Sequence, residues 1–540
     1  MSDFVTVAEA AVEDVLRLRP DLATAKGDHR YDDRLPDLSE SGVAEMARVL
    51  RGHLDALAAV DTEALAAPDR ADAAILRAGL SRMLFIAEVS RDHEWNLLAH
   101  EAGDPIYLLL VRETSPLDQR VHGIAGRLAQ LPDFLAATRR TVTRSPQVHA
   151  ETVLAQLPGL RALMTTELER VVGADSALAD VVAAPRAAAL AALAEHESWL
   201  QRLVESADAD PRLGADLFSR KLPLILDSPL SAEEVLSRAR DNLDWQTHLL
   251  HEASTQFLRS VGANADGDRD AVIRTALDTV ALDTPTNDTV VDICETALVE
   301  TTDAVRRLGL LTIPDDPMQI EVMPEFRRGV AVAYCDSPGP FETGGVAHVA
   351  ISPTPSDWSA SRAASFYREY NTAMLRNLIV HEAMPGHMLQ VAHGRHYRGS
   401  SRSRLLFTSG SFIEGWAVQA ERMMAESGFG GLPVRLQQLK MQLRSTCNAI
   451  LDAGVHAEGI SEQEALDLMM RRGFQEEGEA AGKWRRALLT SGQLSTYFVG
   501  YTELDDVVRH LPPGRTLDDV LAHGNPSPRH LPALLAASVR

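Results

Sequence analysis

Asn377-Leu-Ile-Val-His381-Glu382-Ala-Met-Pro385-Gly386-His387 is the stretch on which the reading of this 540-residue chain turns. Its apolar residues close a helix expected to begin near Ser361, and a second histidine follows six positions after the first. Zinc hydrolases place two histidines four apart because such residues share a helix face and can grip one ion beside a glutamate. Six residues of regular helix turn through ~600°, which leaves the second imidazole ~120° from the first. A straight helix therefore fails. Pro385 cannot donate to the carbonyl four residues back, and Gly386 accepts dihedrals closed to other residues. Together they suit a bulge that returns His387 to the side of His381.

A third ligand should be a carboxylate on a later helix. Glu414, in Phe412-Ile-Glu414-Gly-Trp416-Ala, follows His387 by 27 residues, with Glu421 as the competing ligand two turns on. The opposing reading makes Glu414 a solvated helix charge and leaves the histidines to ordinary hydrogen bonds. Two imidazoles and a carboxylate suit one zinc-class ion per chain and do not suit calcium or magnesium. Glu382, adjoining His381 but facing another direction, is placed to act as a base. Four other His-Glu dipeptides occur. His93 and His100, seven apart, read as polar residues of an amphipathic helix, and His196 and His251 as structural or solvated.

Outside this region the composition is that of a globular protein, 45% hydrophobic and 24% charged. The formal net charge of −23 repels phosphate backbones and anionic lipid, which argues against nucleic-acid or membrane partners. Cys294, Cys335 and Cys447 stand far apart and fit a reducing compartment. Asp3, Glu9, Glu13 and Asp14 stand where a signal peptide needs a basic start and an apolar run. No stretch approaches ~18 consecutive apolar residues. A cytoplasmic protein is expected, and a homodimer is left open.

Helical spacing dominates, as at Leu80, Met83, Leu84 and Ala87, or Val235, Leu236, Ala239 and Leu243. Breaks are expected near Asp104–Pro105, Pro211–Gly214 and Gly262–Gly267. Between Pro317 and Pro353 three β-rich runs, Gln319–Met323, Val330–Tyr334 and Val346–Ile351, predict a small antiparallel sheet near the metal-binding helix. The fold class is mainly α, a two-lobed helical protein. A helical lobe is expected over 1–315 and a metal-binding lobe with the sheet over 316–540, with a cleft between them.

NLIVHEAMPGHMLQ followed by FIEGWAVQAE resembles the bacterial domain-of-unknown-function family 885. Further motifs agree: Arg444 with Asp452-Ala-Gly-Val-His456, then Gly492-Gln-Leu-Ser-Thr-Tyr497-Phe-Val-Gly500, and Pro20–Asp28 near the start. That family is similar in fold to carboxypeptidase Taq and related helical zinc metallopeptidases. The resemblance implies zinc at His381, His387 and Glu414, with Glu382 as base. It departs from those peptidases in having four residues, not two, between the glutamate and the second histidine.

A hydrolase of this kind needs a donor for the oxyanion besides its metal. Tyr497 and Tyr501, four apart on one helix face, are candidates or else packed aromatics, and the resemblance favours Tyr497. His456 could reach the substrate with Asp452 fixing its tautomer, or the two could be an ordinary i,i+4 pair. Arg444 could clamp a substrate carboxylate. Strand Val346–Ile351 could hold an extended peptide by its edge, with Gly344 and Gly345 allowing close approach. The reading is a zinc-dependent hydrolase of peptide or peptide-like amide bonds, with a carboxypeptidase-like activity as its narrower form and a peptide or small amide as substrate. Its rivals are a metal-dependent amidase or esterase for a non-peptide metabolite, and a non-catalytic helical metal-binding protein.

Overall fold

The computed structural model describes residues 3–173, 175–323, 328, 332–342 and 344–537. It is mainly α with one small sheet, as the periodicity requires. Two of the expected breaks fall between helices, Pro211–Gly214 between Ser176–Ser206 and Ala215–Leu226 and Gly262–Gly267 between Ala232–Ser260 and Arg269–Val280, whereas Asp104 and Pro105 lie in the first turn of the Gly103–Val111 helix, where proline is tolerated.

Contacts divide the chain into two units. The first comprises Met1–Pro211, Pro338–Gly345 and Arg398–Phe407, and the second Arg212–Ser337, Val346–Tyr397 and Thr408–Arg540. Residues 212–315, read from the sequence as part of the first lobe, group with the second unit because the Ala232–Ser260 helix packs along the Gly431–Ala453 helix.

In the first unit Phe4, Leu16, Leu50, Leu76 and Leu80 share a core with Leu406 and Phe407. Arg404 and Asp72 pair beside it at 2.6 Å, each fully buried. The Ser176–Ser206 helix, long and apolar enough by length and composition to cross a membrane, packs along Leu117–Thr141 and Gln147–Ala162. His93 and His100 lie in short 3-10 turns rather than on the expected amphipathic helix. There the two are buried, and the His100 ring meets the His93 carbonyl at 2.8 Å.

The Pro20–Asp28 motif is a short helix ended by Gly27 in the left-handed region, where a Cβ would strike the Glu342 side chain. His29 follows, with Asp32 at 2.8 Å and Glu342 at 3.1 Å on its two nitrogens. Hydrogen bonds to these carboxylates, Asp32 first, raise its pKa from 6.5 to about 9. The folded state therefore holds the proton more tightly than the unfolded chain. The stabilisation is full below pH 6.5 and lost as pH rises through about 9. Thermal melts from pH 6 to 10 should show the first unit losing stability across that window, and His29→Gln should flatten the decline. An unchanged slope in the variant would exclude His29 as its source.

In the second unit β1 (Met318–Val322), β2 (Ala333–Asp336) and β3 (Ala347–Ile351) form a sheet in the order β1-β3-β2. It is mixed, not antiparallel: β1 runs parallel to β3, with Met318 opposite Ala347, and β2 runs antiparallel, with Ala333 opposite Ile351. Val330 and Ala331 of the second expected run lie outside the described residues. β3 is the middle strand, so the edge pairing expected of Val346–Ile351 has no edge to use. Val349, Ala350 and Ile351 are fully buried, and Val349 and Ile351 share a core with Leu375, Ile379 and Val380 of the Thr372–Glu382 helix. The sheet thus supports the helix that carries His381.

Candidate metal centre

The single helix expected from Ser361 to His381 is two, Ala360–Glu369 and Thr372–Glu382. Asn371 caps the second, its side chain accepting from the Met374 N–H at 3.1 Å. The helix stops at Glu382 and a new one, His387–Arg395, begins after four intervening residues. The expected bulge is therefore a full turn through Ala383-Met384-Pro385-Gly386, with Met384–Pro385 cis. Gly386 folds the chain so closely onto the preceding helix end that a Cβ there would overlap the Val380 and His381 carbonyl oxygens. Trp416 holds the turn from outside, its indole N–H donating to the Pro385 carbonyl at 2.9 Å. The two imidazoles consequently meet edge to face, ring centres 4.8 Å apart.

Glu414 comes from the Gly410–Glu426 helix, whose N-terminus Ser409 caps. That helix crosses Ser495–Arg509 at Gly415 and Gly500, where backbones touch. A Cβ at Gly500 would overlap the Ser411 carbonyl, and one at Gly415 the Gly500 carbonyl carbon. This crossing brings Tyr497 to the Glu414 side.

Glu414 Oε2 stands 3.6 Å from Nε2 of His381 and 3.6 Å from Nε2 of His387. Those separations exceed a hydrogen bond. Ligands bound at ~2.0–2.1 Å in a tetrahedron lie roughly 3.4 Å apart, so both edges fit a shared ion. One ligand atom from each of the three residues falls within 4.8 Å of the others. Glu421 is not a third ligand but stands behind the first: its Oε1 lies 2.6 Å from His381 Nδ1, and its Oε2 accepts from Asn377 at 2.6 Å. A carboxylate on Nδ1 fixes the tautomer that presents Nε2 to a metal.

Burial opposes charge on both partners, and the pairing outweighs it. His381 is raised well above its ordinary value by Glu414 and Glu421. Glu414 is held well below the carboxylate range by the two imidazoles. Glu382 is half-buried at the end of its helix, and its charge acts on His381. The Tyr497 phenol is pushed up to about 12 by burial and the Glu414 charge. It stays a protonated donor at neutral pH.

The other sequence candidates stand in different surroundings. His456 is fully enclosed, with Nε2 at 2.9 and 2.8 Å from the Ala487 and Thr490 carbonyls, Nδ1 receiving the Leu213 N–H, and Phe218 stacked on the ring. These contacts tie helix ends together. Asp452 does not orient it but accepts from Gly492 N, Ser495 N and Ser495 Oγ. The Tyr501 hydroxyl receives Arg422 at 2.8 Å, within an ion-pair group that includes Asp505 and Glu426. Arg444 is buried against Glu479 and the Tyr370 hydroxyl. Asn377 was given no role from the sequence, and Glu479, Lys483 and Arg486 were not singled out there. Their spacing of four and three, one helix face, was the available signal.

The family "Bacterial protein of unknown function (DUF885)" matches residues 20–512. Among solved structures, a "putative lipoprotein of unknown function" from Shewanella oneidensis is 25% identical, with a TM-score of 0.81 and 99% of each chain covered. A "putative lipoprotein" from Colwellia psychrerythraea is 14% identical, with a TM-score of 0.78 over 99% of each chain, and shows the same fold. Among curated proteins none matches. The description of the Shewanella oneidensis protein overturns the cytoplasmic expectation, because lipoproteins are membrane-anchored. The acidic start of the sequence was an insufficient basis for it.

Proposed function

We propose that this chain, which belongs to the DUF885 family of bacterial proteins, is a zinc-dependent hydrolase of peptide or peptide-like amide bonds. The observation that carries the reading is the convergence of His381, His387 and Glu414, with Glu382 directly following the first ligand. The donor set, two imidazoles and one carboxylate, is that of zinc sites which keep an open position. A zinc ion held there would supply Lewis acidity, polarising a carbonyl and lowering the pKa of water toward ~7.

The chain's own residues supply the rest. Glu382 is the group able to take a proton from attacking water and return it to the leaving amine. Tyr497, still protonated, can donate to the oxygen on which negative charge develops. Glu421 and Asn377 keep His381 oriented. The carboxypeptidase-like part of the reading rests on the resemblance in motif order.

The test is cleavage of a peptide library by the zinc-loaded protein, with and without a chelator. Chelator-sensitive amide cleavage supports the reading, and no cleavage of any member refutes it. Glu421→Gln is expected to weaken zinc affinity by ~10–100-fold, the usual effect of removing a carboxylate behind a ligating histidine. Competition with a chelator of known affinity measures it, and wild-type affinity would show that Glu421 does not tune the site.

A further inference from the structure

The chain leaves the second unit twice, and each time between elements that carry or support a metal ligand. The longer excursion, Arg398–Phe407, joins the His387–Arg395 helix to the Gly410–Glu426 helix, so it lies between His387 and Glu414. The shorter, Pro338–Gly345, joins β2 to β3, the strand that shares a core with the helix of His381. Each of the three ligands is thus held on an element, or beside one, that runs directly into a segment folded with the first unit.

The first unit holds the longer segment closely. Arg402 spans two carboxylates of the Asp3–Leu18 helix, its backbone N–H and Nε each meeting Glu9 at 2.7 Å and a further guanidinium nitrogen pairing with Glu13. Arg404 forms the buried pair with Asp72, and Ser401 Oγ donates to the other Asp72 oxygen at 3.3 Å. Leu406 and Phe407 enter the apolar core beside Leu76 and Leu80. The Phe407 ring lies so close to Gly79 that a Cβ there would overlap it. The shorter segment is held by the Phe341 N–H, which donates to the Lys26 carbonyl at 3.0 Å, and by Glu342 against His29 at 3.1 Å.

Whether such anchoring reaches the ligands depends on slack. Between Phe407 and the Gly410–Glu426 helix stand only Thr408 and Ser409, and Ser409 is the cap of that helix. Between the His387–Arg395 helix and Arg398 stand His396 and Tyr397. Two residues reach ~7 Å at full extension, and one, as at Ser337 or Val346, about half of that. A displaced segment would draw a ligand-bearing element with it, and metal–ligand bonds of about 2 Å tolerate little such displacement.

We propose that the first unit sets the affinity of the metal centre through these two segments, with the Asp72–Arg404 pair as the principal anchor. Asp72 and Arg404 are positioning residues that act on His387 and Glu414 along the chain. The inference rests on the metal centre and not on the reaction proposed for it. Coupling of this kind is reciprocal, so an ion at the three ligands must also steady the segments.

The test is hydrogen exchange of the full chain with and without zinc, the zinc content being measured on the same samples. Zinc should slow exchange of the amides of 402–407 and of the Ala67–Phe85 helix by at least about fivefold, the lower end of ordinary coupling between sites. Asp72→Asn, which leaves the buried Arg404 cation without its carboxylate, should weaken zinc binding about tenfold. Ile124→Ala, a cavity in the Leu117–Thr141 helix of the same unit, should leave zinc affinity unchanged. Bound zinc without slower exchange in those two stretches overturns the proposal and leaves the metal centre standing. So does a folded Asp72→Asn protein of wild-type affinity, or an Ile124→Ala protein that loses as much as Asp72→Asn. If Asp72→Asn does not fold, the exchange comparison decides alone. A wild type that binds no zinc ends the metal reading and this inference together.

Discussion

Glu382→Gln is expected to bind zinc as the wild type does and to lose turnover by ~10²–10⁴-fold, the contribution of a positioned general base. The substitution keeps the shape of the side chain and removes its basicity. Glu382 is outside the cluster formed by His381, His387 and Glu414, so zinc affinity has no reason to fall. It ends its helix half-buried, beside the first ligand in sequence, and its charge is felt by the His381 imidazole. Metal content and cleavage rate of the best library substrate decide the matter. A variant that cleaves at the wild-type rate removes Glu382 from the mechanism.

Gly386→Ala should be as damaging to the site, through geometry alone. The added methyl would meet the carbonyl oxygens of Val380 and His381, backbone atoms that cannot rotate away. Overpacking of this kind costs about 1–3 kcal/mol and at times more, and a rigid neighbour puts the expected loss near the upper end. Relief requires the turn to open, which carries His387 away from His381, so zinc affinity should fall with stability. Gly52→Ala is the control. It sits inside the Glu40–Ala58 helix with nothing within 4 Å of its added carbon, and should gain about 0.5–1 kcal/mol. Denaturant unfolding and zinc competition on both variants measure the contrast. A Gly386→Ala protein with wild-type stability and affinity would show that the close turn does not build the site.

The same turn shows how far the sequence could be read. The spacing of six, with Pro385 and Gly386 inside it, was enough to say that a regular helix fails and that the histidines must be brought back together. Whether the chain would do so by a bulge or by ending one helix and starting another was not legible. That depends on Trp416 reaching the Pro385 carbonyl and on Gly386 meeting the Val380 and His381 carbonyls, both contacts outside local periodicity. Glu414 could be found because a lone carboxylate opens an otherwise apolar helix start. Glu421 was visible as a rival ligand two turns on, but only packing assigns it to Nδ1 of His381.

Helix existence was read well because 3.6-residue periodicity is local. Strand direction was not, since parallel pairing of β1 with β3 is set by the chain between them rather than by alternation within each run. His456 illustrates a different limit. A His four residues after an Asp looks the same on paper whether it faces substrate or, as here, closes the ends of neighbouring helices through the Ala487 and Thr490 carbonyls.

The central claim is that His381, His387 and Glu414 bind one zinc ion. Its most direct test is the zinc content of wild type and His387→Ala after dialysis against the same zinc-buffered solution. The account predicts about one zinc per chain in the wild type and close to none in the variant, because two remaining ligands do not make a three-ligand site. A wild type that retains no zinc, or a His387→Ala protein that retains as much as the wild type, would contradict it.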